Sequence, residues 1–293
     1  MKKVSIVLPV YSTSENLDRC LESLVNQTLE EIEIVIVDDD SNEKSFAILK
    51  DYEKRYIDKI KVVKERAESR GVARNSGILS SSGEFIALVN SNDKVEPEMY
   101  EKLYKKAIED YSDVVICDYY IMGEEKDELI ESYKFNNSNN MDKNEIIYND
   151  CHCSFNKIYR RHVFKNSLFP LSFTYPDLAT VPILLHKARR ISKVNEALYY
   201  YKINENSEIN PNKTLGSNFF DIFKALDRLT TYFMEVGQKE LIEGMYAKYA
   251  MKHIEYINNN KVGFFKKRKF RGIVMDSLTI NFPNFKENSY FNK

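Results

Sequence analysis

The sequence has little of what marks a secreted, membrane-spanning or nucleic-acid-binding protein. Its 293 residues include four cysteines, too few for a disulfide scaffold, which indicates a reducing compartment. With 43 basic and 44 acidic side chains the net charge is -1, so no overall charge favours nucleic acid. No stretch approaches the run of about 18 apolar residues that a membrane-spanning helix needs. The first residues lack the apolar core of a signal peptide. We therefore expect a cytoplasmic protein without a nucleic-acid partner.

What the sequence does contain is an alternation of apolar runs and helical patterns over its first 120 residues. Almost unbroken apolar runs suit strands that are covered on both faces. They occur at 4–10, 32–37, 60–63, 85–89 and 114–121. Between them, apolar residues recur at helical spacing, as in Leu17, Leu21 and Leu24 after a candidate cap at Ser14. This alternation predicts an α/β fold with a mainly parallel central sheet flanked by helices.

The pattern changes in the second half of the chain. Residues 123–150 are rich in Glu, Lys, Asn and Ser, which predicts a surface excursion. A helix is predicted near 178–188 and a strand near 191–201. Residues 215–260 have the spacing of two amphipathic helices. We interpret them as a helical addition to the α/β core.

Polar clusters follow three of the predicted strands. Tyr11 ends the first, Asp38-Asp39-Asp40-Ser41 the second, and Asn90-Ser91-Asn92-Asp93 a later one. Ligands bind at the carboxyl ends of strands in open parallel sheets. Carboxylate and amide oxygens suit Mg²⁺ or Mn²⁺, and they also accept hydrogen bonds from a base or ribose. A single cluster of this kind is more often only a turn. Two clusters and a tyrosine favour a nucleotide site.

Several motifs in this order resemble those of family 2 inverting glycosyltransferases. The resemblance is carried by 4–11, 21–28, 36–41, 71–77 and 85–93, and further on by 155–159, 175–178 and 198–202. It implies a GT-A fold with the transferase domain at 1–207. Within that domain it implies a nucleotide-binding half at 1–120 and an acceptor half at 121–207, which leaves 208–293 as a C-terminal helical extension.

The resemblance also implies how a UDP-sugar would be held. Tyr11 would pack on the uracil ring, beside a backbone made rigid by Pro9. Asp39 would accept a hydrogen bond from the base, with Asp38 beside it. The alternative for Tyr11 is an ordinary, partly buried aromatic side chain.

Cations near these motifs are candidates for contact with the donor diphosphate. Arg74 matches a family arginine close to the nucleotide. Arg70 is a second candidate, because a guanidinium binds phosphate through two parallel hydrogen bonds. Lys202 stands where relatives often have arginine and would act as a point charge. For Arg70, an exposed helix charge is the simpler interpretation.

The cluster at 90–93 departs from the family pattern. Relatives usually carry Asp-Ser-Asp-Asp here, whose carboxylates contact the ribose and hold the metal. In this chain Asn90 and Asn92 would contact the ribose, and Asp93 would remain as the ligand for Mn²⁺ or Mg²⁺. Because each Asp to Asn change removes a negative charge, we expect weaker metal affinity before the diphosphate binds.

Inverting transfer needs a general base, which removes the proton of the acceptor hydroxyl. The resemblance implies a carboxylate near Tyr175 for this role, and Asp177 occupies the second position of that acidic pair. Pro176 replaces the first. Without the resemblance, an aspartate that caps a helix would be the simpler interpretation.

Two further segments have alternative interpretations. Cys151-His152-Cys153 lacks the second ligand pair of a zinc site, so His152, with Lys157 nearby, is instead a candidate contact to acceptor or phosphate. Residues 261–271 combine six cations and three phenylalanines without an acid. That composition is typical of a membrane-surface patch, and equally of a solvated basic helix end.

The resemblance therefore implies a hexosyltransferase-type enzyme that acts with inversion. It would move a sugar from a UDP-linked donor to a glycan, lipid-linked or protein acceptor, in surface glycan synthesis. The cluster at 90–93 and Pro176 motivate an alternative, a non-catalytic relative that acts as a nucleotide-binding partner subunit. A nucleotidyltransferase is less favoured, because no Gly-rich triphosphate loop follows the first strand. The sugar, the acceptor and the oligomeric state do not follow from these residues.

Overall fold

The fold was analysed in a computed structural model, which describes residues 1–11, 16–66, 69–132, 142–203, 220–259 and 263–292. The strands in these ranges are β1 (Val4–Tyr11), β2 (Ile32–Asp39), β3 (Ile60–Lys64), β4 (Phe85–Leu88), β5 (Lys94–Val95), β6 (Val114–Ile121), β7 (Glu128–Ile130), β8 (Lys157–Arg160) and β9 (Ile191–Tyr201). The α-helices are α1 (Leu17–Val25), α2 (Glu43–Arg55), α3 (Arg70–Ser80), α4 (Met99–Glu109), α5 (Lys143–Asn149), α6 (Val181–Lys187), α7 (Asp221–Glu235), α8 (Lys239–Asn259) and α9 (Phe264–Asn281).

The strands form one mixed sheet in the order β3-β2-β1-β4-β8-β6-β9-β5, with β7 paired to β6. The first four strands of this order run parallel to one another. β8 lies antiparallel between β4 and β6, and β9 pairs parallel with β6. The predicted α/β class, with a mainly parallel central sheet between helices, is confirmed.

Successive strand residues enter two separate cores, which explains the almost unbroken apolar runs. Val7 and Val114 face one side of the sheet and pack with helices α5 to α9. Their neighbours Ile6 and Val115 face the other side and pack with α1, α2 and α4. Because neither face is open to water, apolar side chains are favoured at consecutive positions of the central strands.

The C-terminal helices share the first of these cores. Leu226 and Phe233 of α7, Met245 of α8 and Leu278 of α9 are all buried in it. The predicted boundary between residues 207 and 208 falls outside the described ranges, so the division into domains stays a prediction. Within those ranges, every helix is too short or too polar to cross a lipid bilayer.

The structure differs from the sequence-based prediction in three places. The expected surface excursion contains β7 and also α5, whose Ile146 and Ile147 are buried under the C-terminal helices. The helix predicted from residue 178 begins at Val181, after a turn. Most of the basic segment at 261–271 belongs to a third C-terminal helix, α9, in addition to the two that were predicted. The candidate cap Ser14 lies outside the described residues.

Candidate active site

Parallel pairing places the predicted polar residues at one edge of the sheet. β1 and β2 pair in a register that sets Tyr11 beside Asp39 and Val10 beside Asp38. β4 is the other neighbour of β1, and the chain that follows it carries Asn90 and Asn92 to the same edge. Pro9 lies buried within β1, one residue before Val10.

An open cleft of about 670 Å³ adjoins this edge at the ends of β2 and β3. Asp38, Phe46 and Lys64 are among the residues that line it. The Asp38 carboxylate accepts a hydrogen bond from the backbone N–H of Ser41 at 3.2 Å, which holds the turn after β2. The Lys64 ammonium lies 4.8 Å from the centre of the Phe46 ring.

The motif at 71–77 explains how α3 reaches the site. Gly71 lies against the carbonyl of Pro170, where a Cβ atom would collide with backbone. The Asn75 side chain donates to the Phe169 carbonyl at 2.8 Å and accepts from the Phe169 N–H at 2.9 Å. Gly77 packs directly on Val7 of β1. These close contacts position α3 against the sheet on one side and the 169–170 segment on the other.

Arg74 projects from this helix and joins residues that are far apart in sequence. Its guanidinium forms an ion pair with Asp177 and a second, longer contact of 3.5 Å with the Asn90 Oδ1. The guanidinium also lies 5.1 Å from the centre of the Phe169 ring. Only 8% of the Arg74 side chain and 18% of the Asp177 side chain are exposed. The pair is therefore shielded from bulk water, which strengthens its attraction.

Asp177 lies in the turn before α6, and its side chain does not cap that helix. One carboxylate oxygen, Oδ2, accepts hydrogen bonds from the Ser154 hydroxyl at 3.0 Å and the Ser154 backbone N–H at 3.2 Å. The other oxygen, Oδ1, binds Arg74. A carboxylate has about four lone-pair positions, so these three contacts leave about one of them for a further partner. The capping alternative therefore does not describe this residue.

Tyr11 lies within reach of the same charges. Burial raises the pKa of its hydroxyl to about 12, while the nearby Arg74 and Arg70 act in the opposite direction and Asp39 and Asp177 raise it further. The hydroxyl oxygen is buried and has no hydrogen-bond partner among the described residues. A buried polar atom without a partner is rare in folded proteins, and a bound ligand could supply one. Arg70 itself is exposed, at the first position of α3.

Asp93, the predicted metal ligand, is enclosed by other parts of the protein, and its contact with a metal stays a prediction. Its carboxylate is 1% exposed and accepts hydrogen bonds from the Tyr199 hydroxyl at 2.5 Å, the Lys202 backbone N–H at 2.8 Å and the Asn90 side-chain amide at 2.8 Å. Burial raises the pKa of Asp93 to about 6, against the opposing effect of these donors. Asp93 therefore joins the loop after β4 to the end of β9. It also holds Lys202, with its exposed side chain, beside the site.

The cluster at 90–93 offers no accessible carboxylate to a divalent cation. A Mg²⁺ or Mn²⁺ site needs accessible carboxylates, but Asn90 and Asn92 are neutral and Asp93 is enclosed. Across the described ranges, no group of three or more His, Cys, Asp or Glu side chains is placed to bind a metal. The positively charged groups near this edge include the guanidinium groups of Arg70 and Arg74 and the ammonium group of Lys202.

His152 and Lys157 are structural residues, contrary to the expectation that they contact acceptor or phosphate. His152 is 2% exposed, and its ring nitrogens bind the Tyr249 hydroxyl at 2.5 Å and the Ile147 carbonyl at 2.6 Å. Burial lowers the pKa of His152 to about 4. Lys157 is fully buried and pairs with Asp150 at 3.1 Å. Both side chains hold the turn before β8 together.

Two residues of the site were missed by the sequence analysis. Ser154 lies between two segments that stand out in the sequence, 151–153 and 155–159, but only its contacts with Asp177 reveal its own role. Tyr199 lies in the tyrosine run that carries part of the family resemblance, but its hydroxyl had no assigned partner before the structure showed Asp93.

The mixed α/β sheet between helices, with polar residues gathered at the carboxyl edge of its parallel strands, has the GT-A fold of glycosyltransferases. Residues 5–168 match the profile described as Glycosyl transferase family 2, so the chain belongs to that family.

Relatives and solved structures agree with this assignment. The putative glycosyltransferase EpsH of Bacillus subtilis is 31% identical over 246 residues, which are 80% of this chain and 70% of EpsH. The poly(ribitol-phosphate) β-N-acetylglucosaminyltransferase TarP of Staphylococcus aureus is 27% identical over 292 residues, with 88% of this chain and 87% of TarP covered. A crystal structure of S. aureus TarS in complex with UDP-GlcNAc is similar with a TM-score of 0.63 and 21% identity, over 95% of this chain and 73% of that one. At this identity the TarS structure supports the fold.

Proposed function

We propose that the protein transfers a sugar from a UDP-linked donor to a hydroxyl group of an acceptor, with inversion at the anomeric carbon. The observation that carries this proposal is the contact between Arg74 and Asp177. It brings a carboxylate from the acceptor half directly beside an arginine of the nucleotide-binding half. An inverting displacement needs a base close to the donor site, on the side of the reacting carbon opposite the leaving group, and this contact supports the closeness of Asp177 to that site.

In the proposed reaction, Asp177 accepts the proton of the acceptor hydroxyl through its remaining lone pair. The acceptor oxygen forms a bond to the anomeric carbon, while the bond from that carbon to the donor phosphate oxygen breaks. UDP leaves with the electron pair of that bond. Ser154 and Arg74 hold the carboxylate in one orientation, so that little reorganisation is needed when the acceptor arrives.

The nucleotide would lie along the edge formed by β1, β2 and β4. Tyr11 and Asp39, paired in register, would contact the base, while Asn90 and Asn92 would face the ribose. Arg70, Arg74 and Lys202 carry positive charge that would stabilise the leaving diphosphate. TarS has been solved with UDP-GlcNAc, which supports a UDP-sugar as the first donor to test.

For the acceptor, the printed function of TarP supports a hydroxyl group on a cell-surface polymer. We propose that this protein likewise acts in surface glycan synthesis and works in the cytoplasm. The candidate acceptors are glycans, lipid-linked glycans and proteins, and UDP release can be followed with any of them.

The test is release of UDP from a panel of UDP-sugars, first with water as the acceptor and then with candidate polymers. We expect slow hydrolysis of at least one donor. The variant Asp177→Asn should lower that rate about 100-fold or more, because an amide cannot take the proton. Asp110→Asn is a matched control, since this aspartate contacts Ser192 at the opposite edge of the sheet. UDP binding without turnover under all conditions would instead support the nucleotide-binding partner subunit.

A further inference from the structure

The start of helix α9 presents two large apolar side chains to solvent. Phe264 is 73% exposed and Phe265 is 84% exposed, and their ring centres lie 5.8 Å apart. Single exposed apolar residues are ordinary on protein surfaces, but adjacent exposed phenylalanines in a charged setting are typical of an interaction site.

The same turns carry a dense positive charge. Five cations follow the phenylalanines, and the segment from Gly263 to Met275 contains no acid. Lys267 and Arg271 contact Asn258 at the end of α8, at 2.6 Å and 3.4 Å. In the described part of the chain, none of the five pairs with a carboxylate. The cations are Lys266, Lys267, Arg268, Lys269 and Arg271.

Helix stability does not explain this pattern. The N-terminus of a helix carries partial positive charge, so cations in the first turns are unfavourable there and acids are favoured. The first turn of α9 has no acid. A sequence selected for the stability of α9 alone would carry the opposite charges.

The other end of the helix is anchored to the protein. Val274 and Leu278 are fully buried in the core that α9 shares with α8. Phe270 packs edge to face on Phe220 with ring centres 5.1 Å apart. The anchored side of α9 thus faces the body of the protein, while the phenylalanines and most of the cations lie on its exposed turns.

We propose that the first two turns of α9 bind the surface of an anionic lipid bilayer. Phenylalanine side chains enter the boundary between headgroups and acyl chains, while lysine and arginine side chains attract acidic headgroups. A nucleic acid would also attract these cations. However, the phenylalanines lie in the first turn of a helix and are largely exposed, which favours a flat apolar boundary.

This proposal is independent of the active site and is tested by co-sedimentation of the full chain with vesicles. We expect binding to vesicles that mix phosphatidylcholine with phosphatidylglycerol, and little binding to phosphatidylcholine alone. Added salt should weaken the binding, since surface charges are screened. Each cation removed should reduce the partition coefficient about fivefold. The charge variants are Lys266→Gln and Lys269→Gln.

The double variant Phe264→Ser and Phe265→Ser should lose about tenfold or more in vesicle affinity while retaining all five cations. Ile280→Ser is its matched control, because Ile280 is 80% exposed on the same helix but outside the basic turns. Circular dichroism and UDP release without vesicles should be unchanged in all variants. Equal binding to both vesicle types would overturn the proposal. So would unchanged affinity of the phenylalanine variants, or binding to RNA or DNA oligonucleotides but not to vesicles.

Discussion

Replacement of Ser154 by alanine tests whether this buried side chain orients Asp177, the candidate base. The hydroxyl of Ser154 donates one of the two hydrogen bonds that reach the Asp177 Oδ2, and the backbone N–H that donates the other remains in the variant. A hydrogen bond to a charged group contributes about 1.5–3 kcal/mol. If that energy maintains the reactive orientation, kcat should fall about tenfold to a hundredfold.

Measuring kcat, KM and UDP affinity together distinguishes a change in the orientation of Asp177 from a general loss of structure. Ser154 is fully buried and does not belong to the proposed nucleotide contacts, so KM for the donor and Kd for UDP should stay within about twofold. Ser112→Ala is the matched control. Ser112 is equally buried, and its hydroxyl hydrogen-bonds to Ser192 at 2.6 Å at the opposite edge of the sheet. If both variants lose similar thermal stability and both retain kcat, the proposed role of Ser154 is refuted.

Three further predictions follow from the same contacts. Arg74→Lys keeps the positive charge but loses the planar guanidinium group, which can form two parallel hydrogen bonds. It should weaken UDP binding, measured by calorimetry, and lower kcat about tenfold or more. Unchanged UDP affinity and kcat would contradict the proposed contact between Arg74 and the donor. Mn²⁺ should bind weakly to the UDP-free protein, and Asn92→Asp should strengthen Mn²⁺ binding about tenfold by adding a carboxylate. Tight Mn²⁺ binding to the unmodified protein would refute the statement that the cluster at 90–93 offers no accessible carboxylate. Burial lowers the pKa of His152 to about 4 in the folded protein, against 6.5 in the unfolded chain. Because the unfolded chain binds the proton more readily, the contribution of His152 to stability is complete above pH 6.5 and is lost as the pH falls toward 4. The free energy of unfolding in urea should therefore fall by about 2 kcal/mol from this group between pH 7 and pH 5. His152→Asn, which tolerates the left-handed backbone at this position, should remove that part of the pH dependence, and an identical slope in both proteins would contradict it.

The fold class was predictable from sequence because the spacing of apolar residues within a segment indicates whether it forms a strand or a helix. The runs at 4–10 and 32–37 correspond to β1 and β2, and their predominantly apolar composition follows from cores on both faces. Tyr11 and Asp39 were expected at one edge, and the parallel register sets them side by side. The later segments were harder, since α5 carries only a short apolar pattern within a polar region.

The candidate site was predictable in outline but not in the accessibility of its groups. Asp93 carries the carboxylate that a metal ligand needs, yet the Tyr199 hydroxyl and the Lys202 backbone occupy it. His152 and Lys157 have suitable chemistry for an acceptor site but are buried. Residue type alone does not indicate whether a polar group faces a ligand or another part of the protein.

From its sequence alone, this protein is determined to be an α/β chain with polar residues at the ends of its parallel strands, because strand period and turn chemistry depend on neighbouring residues. Only the tertiary structure decided which of those polar residues remain available to a substrate. That outcome depends on contacts between distant segments, such as Arg74 with Asp177 and Asp93 with Tyr199, and these form only when helices and strands pack together.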